Sequence, residues 1–209
     1  MIVRPILFSG AMVRAILDGQ KTQTRRTVKQ QLTPIYDSSD MFCFYHKGIN
    51  YRTSSRTLTV GAFEQLKQFC PYGQPGDRLW VRETFGIKIR NIGGSSGEFY
   101  TYRATDPDAG YCSISSGGEI PIKWKPSIHM PRWASRITLK IVSVHVERLR
   151  DISEEDAKAE GVTPSGVGLD LDHLKYRAGF QTLWESINGP ESWDTNPWVW
   201  VIEFAVVTE

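Results

Sequence analysis

The segment Arg136-Ile-Thr-Leu-Lys-Ile-Val-Ser-Val-His-Val-Glu-Arg-Leu149 constrains the fold more than any other part of the chain. Its apolar residues recur at every second position, at Ile137, Leu139 and Ile141, and then, after a bulge or register change, at Val142, Val144 and Val146. Period two means a strand with one buried face. The stretch Asp77-Arg-Leu-Trp-Val-Arg-Glu-Thr-Phe85 alternates in the same way, with Leu79, Val81 and Glu83 on one face and Trp80 and Arg82 on the other. Residues 3–8, 22–28, 99–103 and the closing WVWVIEFAVV read as further strands. Strands therefore dominate, with three or four helices between them. A small curved sheet or barrel with peripheral helices fits this order. A doubly wound dinucleotide-binding sheet does not, because no glycine-rich β–α turn is present.

The helices carry their own punctuation. Ser9 is an N-cap for a helix with Met12, Val13, Ile16 and Leu17 on its buried face, and Gly19 suits a left-handed C-terminal cap. A compact helix runs from Ser153 to Gly161, with a capping-box-like pair at Ser153 and Asp156 and a staple at Ile152 and Ala157. A longer helix over 170–188 presents Leu171, Leu174, Phe180, Leu183, Trp184 and Ile187. Residues 29–75 show no sustained period and read as an inserted hairpin and loops. They include a short amphipathic helix at Phe63, Leu66 and Phe69. Residues 90–120 hold glycine–serine turns around a short strand and read as a hairpin excursion.

The chain has 209 residues, 40% hydrophobic and 23% charged, which suits a globular protein of one domain with insertions or one and a half domains. No apolar run approaches about 18 residues, and MIVRPILFSG lacks a signal peptide's layout, so a cytoplasmic protein is expected. Cys43, Cys70 and Cys112 are far apart, and His46, His129, His145 and His173 have no metal-ligand spacing. Neither a disulfide framework nor a metal site is expected, and no cofactor. The net charge of +2 is unevenly laid out. Up to Tyr36 the sole acid is Asp18, against six cations, and between Glu119 and Glu147 there is no acid among Lys123, Lys125, Arg132, Arg136 and Lys140. Such a layout gives either solvated basic faces or a positive side for an anionic partner such as RNA.

Three features carry chemistry. The first is Leu17-Asp-Gly-Gln-Lys-Thr-Gln-Thr-Arg-Arg26. A threonine hydroxyl becomes a nucleophile beside a base, and a lysine whose charge is disfavoured by neighbouring cations such as Arg25 and Arg26 can serve. Strand alternation would put Thr22 and Thr24 on one face and Lys21 on the other, so Lys21 and Thr24 converge only if the turn after Gly19 extends past residue 21. The plain alternative is a solvated lysine followed by strand-forming threonines. The second feature is Glu160, in the last helical turn, where the helix dipole and burial would raise its pKa and fit it to shuttle protons; otherwise it is a surface acid. The third is Lys123-Trp-Lys-Pro-Ser-Ile-His-Met-Pro-Arg-Trp-Ala-Ser-Arg136, where cations alternate with Trp124, His129 and Trp133. These are ingredients of single-strand recognition, or of a loop packed on the core by its two tryptophans.

ILDGQKTQTRR resembles the G-x-K-x-x-T-x-R signature of ASCH domains, in the PUA-like superfamily. PGDRLWVRETF, ITLKIVSVHVERLRDISEEDAKAEG and WVWVIEF are similar to that family's later blocks, so the resemblance touches the whole length. It is closest to the longer, prophage-type members. The resemblance implies an α+β, mostly β fold: a small PUA-like β-barrel with flanking helices, a single domain over 1–209 with insertions at about 29–75 and 86–132. It also implies a cleft near the first helix that takes RNA or a modified nucleoside. In a small bacterial member the motif serves N(4)-acetylcytidine amidohydrolysis, and its catalytic set falls here on Lys21, Thr24 and Glu160. Thr24 would attack the amide carbonyl, with Lys21 as base or electrostatic partner and Glu160 exchanging protons with the leaving amine. Arg25, Arg26, Trp80, Lys125, His129, Arg132 and Trp133 are the expected substrate-binding residues. The basic, aromatic insertions have no counterpart in that small enzyme. The alternative readings are an RNA-binding module, or a ribonuclease, in the same basic cleft, and a prophage accessory protein that binds another protein.

Overall fold

Five strands form the central sheet: β1 (Val3–Leu7), β2 (Gln23–Thr27), β6 (Arg78–Arg82), β11 (Thr138–Arg148) and β12 (Trp198–Val206), in the order β1-β6-β11-β12-β2. β1 and β6 are parallel and the other neighbours antiparallel. The computed structural model describes residues 1–29, 33–35, 41–46, 49–53, 66–92, 95–113, 119–165 and 174–207; the side chains of 33–53, 90–92, 95–96, 112–113 and 119 are not among them. Phe63 and Leu171 of the expected helices lie outside the described residues.

The alternation in β11 does what period two requires. Leu139, Ile141, Val144 and Val146 are buried, and the register shifts between Ile141 and Ser143. Val142 is the extra residue of that bulge, and at 55% exposure it leaves the buried row expected of it. β12 is covered on both faces. Trp200, Ile202 and Phe204 join Ile6, Leu79, Val81 and the β11 row in one cluster, while Val199 and Val201 join a second.

Helix α1 (Gly10–Leu17) packs Val13 and Ile16 into the first cluster, with the Ser9 hydroxyl accepting from the Met12 N–H. Leu17, expected inside, is 45% exposed, because Ala15 takes the inward position instead. Helices α2 (Glu154–Ala159) and α3 (Lys175–Asn188) cover the other face through Ala157, Phe180 and Trp184. Ser153 caps α2 by accepting from the Asp156 N–H. Ile187 of α3 lies outward, 53% exposed.

The inserted segments add small antiparallel ladders. β3 (Thr33–Ile35), β4 (Met41–His46) and β5 (Ile49–Thr53) form a three-stranded sheet. β7 (Phe85–Ile92) pairs with β8 (Ser95–Tyr102), so the excursion is a longer hairpin than the single strand at 99–103 suggests. β9 (Gly110–Ser113) pairs with β10 (Glu119–Pro121).

The fold is thus mixed α+β and mostly sheet. Among the described residues no ladder joins β1 to β2, so the sheet does not close into a barrel. It does curl. The Arg26 guanidinium of β2 donates to the Leu7 carbonyl of β1 at 2.7 Å and lies 5.3 Å over the Phe8 ring, so one side chain spans the two edges. Among the described residues no helix is long and apolar enough to cross a membrane.

Candidate functional site

Gly19 takes φ +70° after α1 and turns the chain so that Lys21 lies alongside Glu160 in an isolated antiparallel bridge, before β2 begins. Thr22 N–H donates to the Ala159 carbonyl and fixes that register. On the other side, Gly161 takes φ +73°. A Cβ there would lie 2.7 Å from Lys21 Cβ and 2.8 Å from Ala15 Cβ. The glycine serves both as the left-handed stop of α2 and as the gap into which Lys21 fits.

Lys21 is 1% exposed, and each of its three N–H donors has an acceptor: the Gln23 carbonyl at 2.9 Å, the Glu160 carbonyl at 2.8 Å and Glu160 Oε2 at 2.7 Å. Burial pushes its pKa below the usual lysine value; Glu160 opposes that shift, and Arg26 and Arg25 add to it. Glu160, 3% exposed, offers its other oxygen to Arg25 Nη1 at 3.2 Å. Arg25 is itself buried. Its Nε donates to Glu147 at 2.8 Å and its Nη2 to Asp156 at 3.2 Å, so its charge is matched within the protein. Gln23 ties the Asp156 carbonyl to β2 at 2.7 Å. Asp156 has a pKa below the ordinary value: burial pushes it up, and the hydrogen bonds it accepts together with Arg25 outweigh that.

Thr24, Arg25, Arg26 and Glu160 line a pocket of about 60 Å³ at the outer edge of β2, between Met12 of α1 and Trp184 of α3. That is room for a few waters or a small acyl group. A second pocket of about 400 Å³ shares Thr27, Trp184 and Asn188 with it, and Ser192 and Thr195 line its far side. A third cavity, of about 470 Å³, is bounded by Gln20, Thr22, Lys158 and Tyr176; none of Lys21, Thr24 and Glu160 lines it. Among the described residues no group of three or more histidine, cysteine or acidic side chains is placed to hold a metal ion.

The fold therefore brings Lys21, Thr24, Glu160, Arg25 and Arg26 together. Trp80, Lys125, His129, Arg132 and Trp133 do not line this pocket. They belong to a separate surface built from β6 and two 3-10 turns, Ser127–His129 and Arg132–Ala134. Sequence reasoning missed Glu147, Asp156, Gln23 and Trp184. Only Asp156 left a signal, because it stands one helical turn before Glu160 on the same face of α2. Compared with known proteins, the chain matches no protein-family model, no curated protein and no solved structure.

Proposed function

We propose that the chain is an ASCH-type, PUA-like protein whose pocket at Thr24 and Glu160 is the active site of a metal-free amidohydrolase. Its substrate class is the N-acylated cytosine nucleoside or a related modified base. The observation that carries this reading is the position of the Glu160 carboxylate. It is held between Lys21 Nζ at 2.7 Å and Arg25 Nη1 at 3.2 Å, and it lines the same pocket as Thr24. The curled sheet and the packing of α1 against its edges agree with the fold this resemblance implies.

Because every N–H of Lys21 is taken, Lys21 serves as the electrostatic partner of Glu160 rather than as the base. Glu160 then accepts the Thr24 hydroxyl proton as Thr24 Oγ bonds to the acyl carbon. The C–N bond breaks, and Glu160 returns that proton to the leaving N4 amine. Water attacks the acyl-Thr24 ester, giving one proton to Glu160, and this proton passes back to Thr24 Oγ as the acid leaves. The smaller pocket accommodates the acyl group and the larger one beyond Trp184 the nucleoside.

The test is a turnover assay with N(4)-acetylcytidine and no added metal, following cytidine release by chromatography. Release by the native protein and a loss of roughly a hundredfold or more in Thr24→Ala are expected. Equal release by Thr24→Ala, or none by a folded native protein, refutes the assignment.

A further inference from the structure

The loop from Lys123 to Arg136 is anchored by Met130 and Ala134, with Trp124 half-buried beside Gly86, and not by Trp133. Met130 and Ala134 are buried with Phe85, and the Tyr102 hydroxyl donates to the Ala134 carbonyl at 2.9 Å. Arg136 seals the base of the loop with two hydrogen bonds to the buried Glu83 carboxylate, at 2.9 and 3.0 Å. This leaves Trp133 69% exposed, with Tyr100 beside it at 5.2 Å between ring centroids and itself 41% exposed. Two exposed rings side by side, rather than one scattered apolar residue, mark a surface that meets a partner.

Cations surround these rings. The Arg82 and Arg132 guanidinium groups lie over Trp80 at 5.4 and 5.9 Å, and Lys125 Nζ lies 5.9 Å from the Phe85 ring. Arg82 also donates to the Ile128 carbonyl, which joins Trp80 to the loop. The charges on the loop are unmatched: among the described residues no carboxylate forms an ion pair with Arg82, Lys123, Lys125 or Arg132. The nearby acids are already engaged, Glu83 by Arg136 and Asp106 by Lys88. Glu98 of β8 is the exposed acid of this hairpin.

Arg82 is paired in register with Leu7, whose carbonyl accepts from Arg26 of the pocket, so strand β1 stands between this surface and the pocket.

We infer that this surface binds single-stranded nucleic acid, with an unpaired base stacked on Trp133, the tilted Tyr100 ring at its side, and the backbone phosphates on Arg82, Arg132, Lys123 and Lys125. Rings that offer a π face to any base, set among unpaired cations, are the chemistry such a strand requires. A protein partner would call for a larger apolar face with fewer unmatched charges. Combined with the hydrolase reading, on which this step rests, the acylated base is one unit of a strand, and this surface holds other units of it.

The test is the anisotropy of a fluorescein-labelled, unmodified RNA of about 12 uridines, titrated with the full chain from about 50 to about 200 mM salt. Binding is expected to weaken with salt at a logarithmic slope of about −2 to −3 for four phosphate contacts. Trp133→Ala weakens it roughly 5- to 150-fold, while Trp133→Phe retains most of the affinity. Arg132→Ala lowers the slope by about 0.7. Trp133 is mostly exposed, so the unfolding temperature of Trp133→Ala should match that of the native chain. No binding at the lowest salt, or equal binding by Trp133→Ala, overturns the inference; the first result would point to a protein as the surface's occupant. The probe carries no acyl group and reads the platform alone: RNA binding with no cytidine release from N(4)-acetylcytidine refutes only the enzyme, and cytidine release with no RNA binding refutes only the platform.

Discussion

Replacing Lys21 by methionine removes the cation from one side of a carboxylate that is almost fully buried. Breaking a buried ion pair from one side costs about 3–5 kcal/mol, because the remaining charge is left without its partner. Arg25 still lies 3.2 Å from Glu160 Oε1, which argues for the lower end, about 3 kcal/mol. The carbonyls of Gln23 and Glu160 also lose their donor. For a chain of this size each kcal/mol lowers the unfolding temperature by about 2–4 °C, so a fall of roughly 6–12 °C is expected. Glu160→Gln should cost a similar amount, because it leaves a buried ammonium among neutral acceptors. The double variant carries neither charge and should lose less than the sum of the two, with a coupling of about 1.5 kcal/mol or more. The pH dependence separates the singles further. Lys21's folded pKa is already below its unfolded value, and Glu160 is the group that opposes the shift. In Glu160→Gln it falls further. Between the folded pKa and about 10.5 the unfolded state binds more protons, so stability gained from this group rises with pH. The deficit of Glu160→Gln against the native chain should therefore shrink as pH rises through the alkaline range. Urea titrations of the four proteins at neutral and alkaline pH measure this. Losses that add to within about 0.5 kcal/mol, or a Lys21→Met loss below about 1 kcal/mol, would refute the buried-pair argument.

Two further outcomes follow from the same corner of the fold. Gly161→Ala must hold a left-handed φ and push a methyl against Lys21 and Ala15, at a cost of roughly 2–4 kcal/mol by urea titration; a change under about 1 kcal/mol would mean the contact is loose. Asp156→Asn should make the chain less sensitive to acid. Its carboxyl's folded pKa is lowered, so its contribution is present above the unfolded value and lost as pH falls through the folded one. An acid-unfolding midpoint that does not move in Asp156→Asn would contradict this.

The parts legible in the sequence were those set by local periodicity and capping. β11 and β6 alternate because one face is buried, and Ser153 and Gly161 mark α2 by hydrogen bonding and backbone conformation alone. The pairing of Lys21 with Glu160 was not legible from spacing. It depends on β2 starting at Gln23, which leaves Lys21 in the turn and free of strand alternation. The resemblance grouped the two residues, but it could not reveal that Arg25 would be buried among three carboxylates rather than left for a ligand. The basic aromatic loop, expected at one end of the same cleft, lies apart from it. Met130 and Ala134 hold it, so Trp133 faces outward while Trp124 is half-buried.

β12 lies between β11 and β2, yet among the described strands it is the last in sequence and β2 is the second. At about 5–20 residues per second on a ribosome, β2 emerges and then waits on the order of ten seconds or more for its only sheet neighbour among the described strands. Throughout that interval Thr24 and Arg25 have no ladder to hold them. α2, which carries Glu160, is also made before the strand it packs against. The nascent chain thus exposes an unpaired basic strand until Trp198–Val206 has emerged, and a transcript cut short before Trp198 would yield a protein with every proposed catalytic residue and no site.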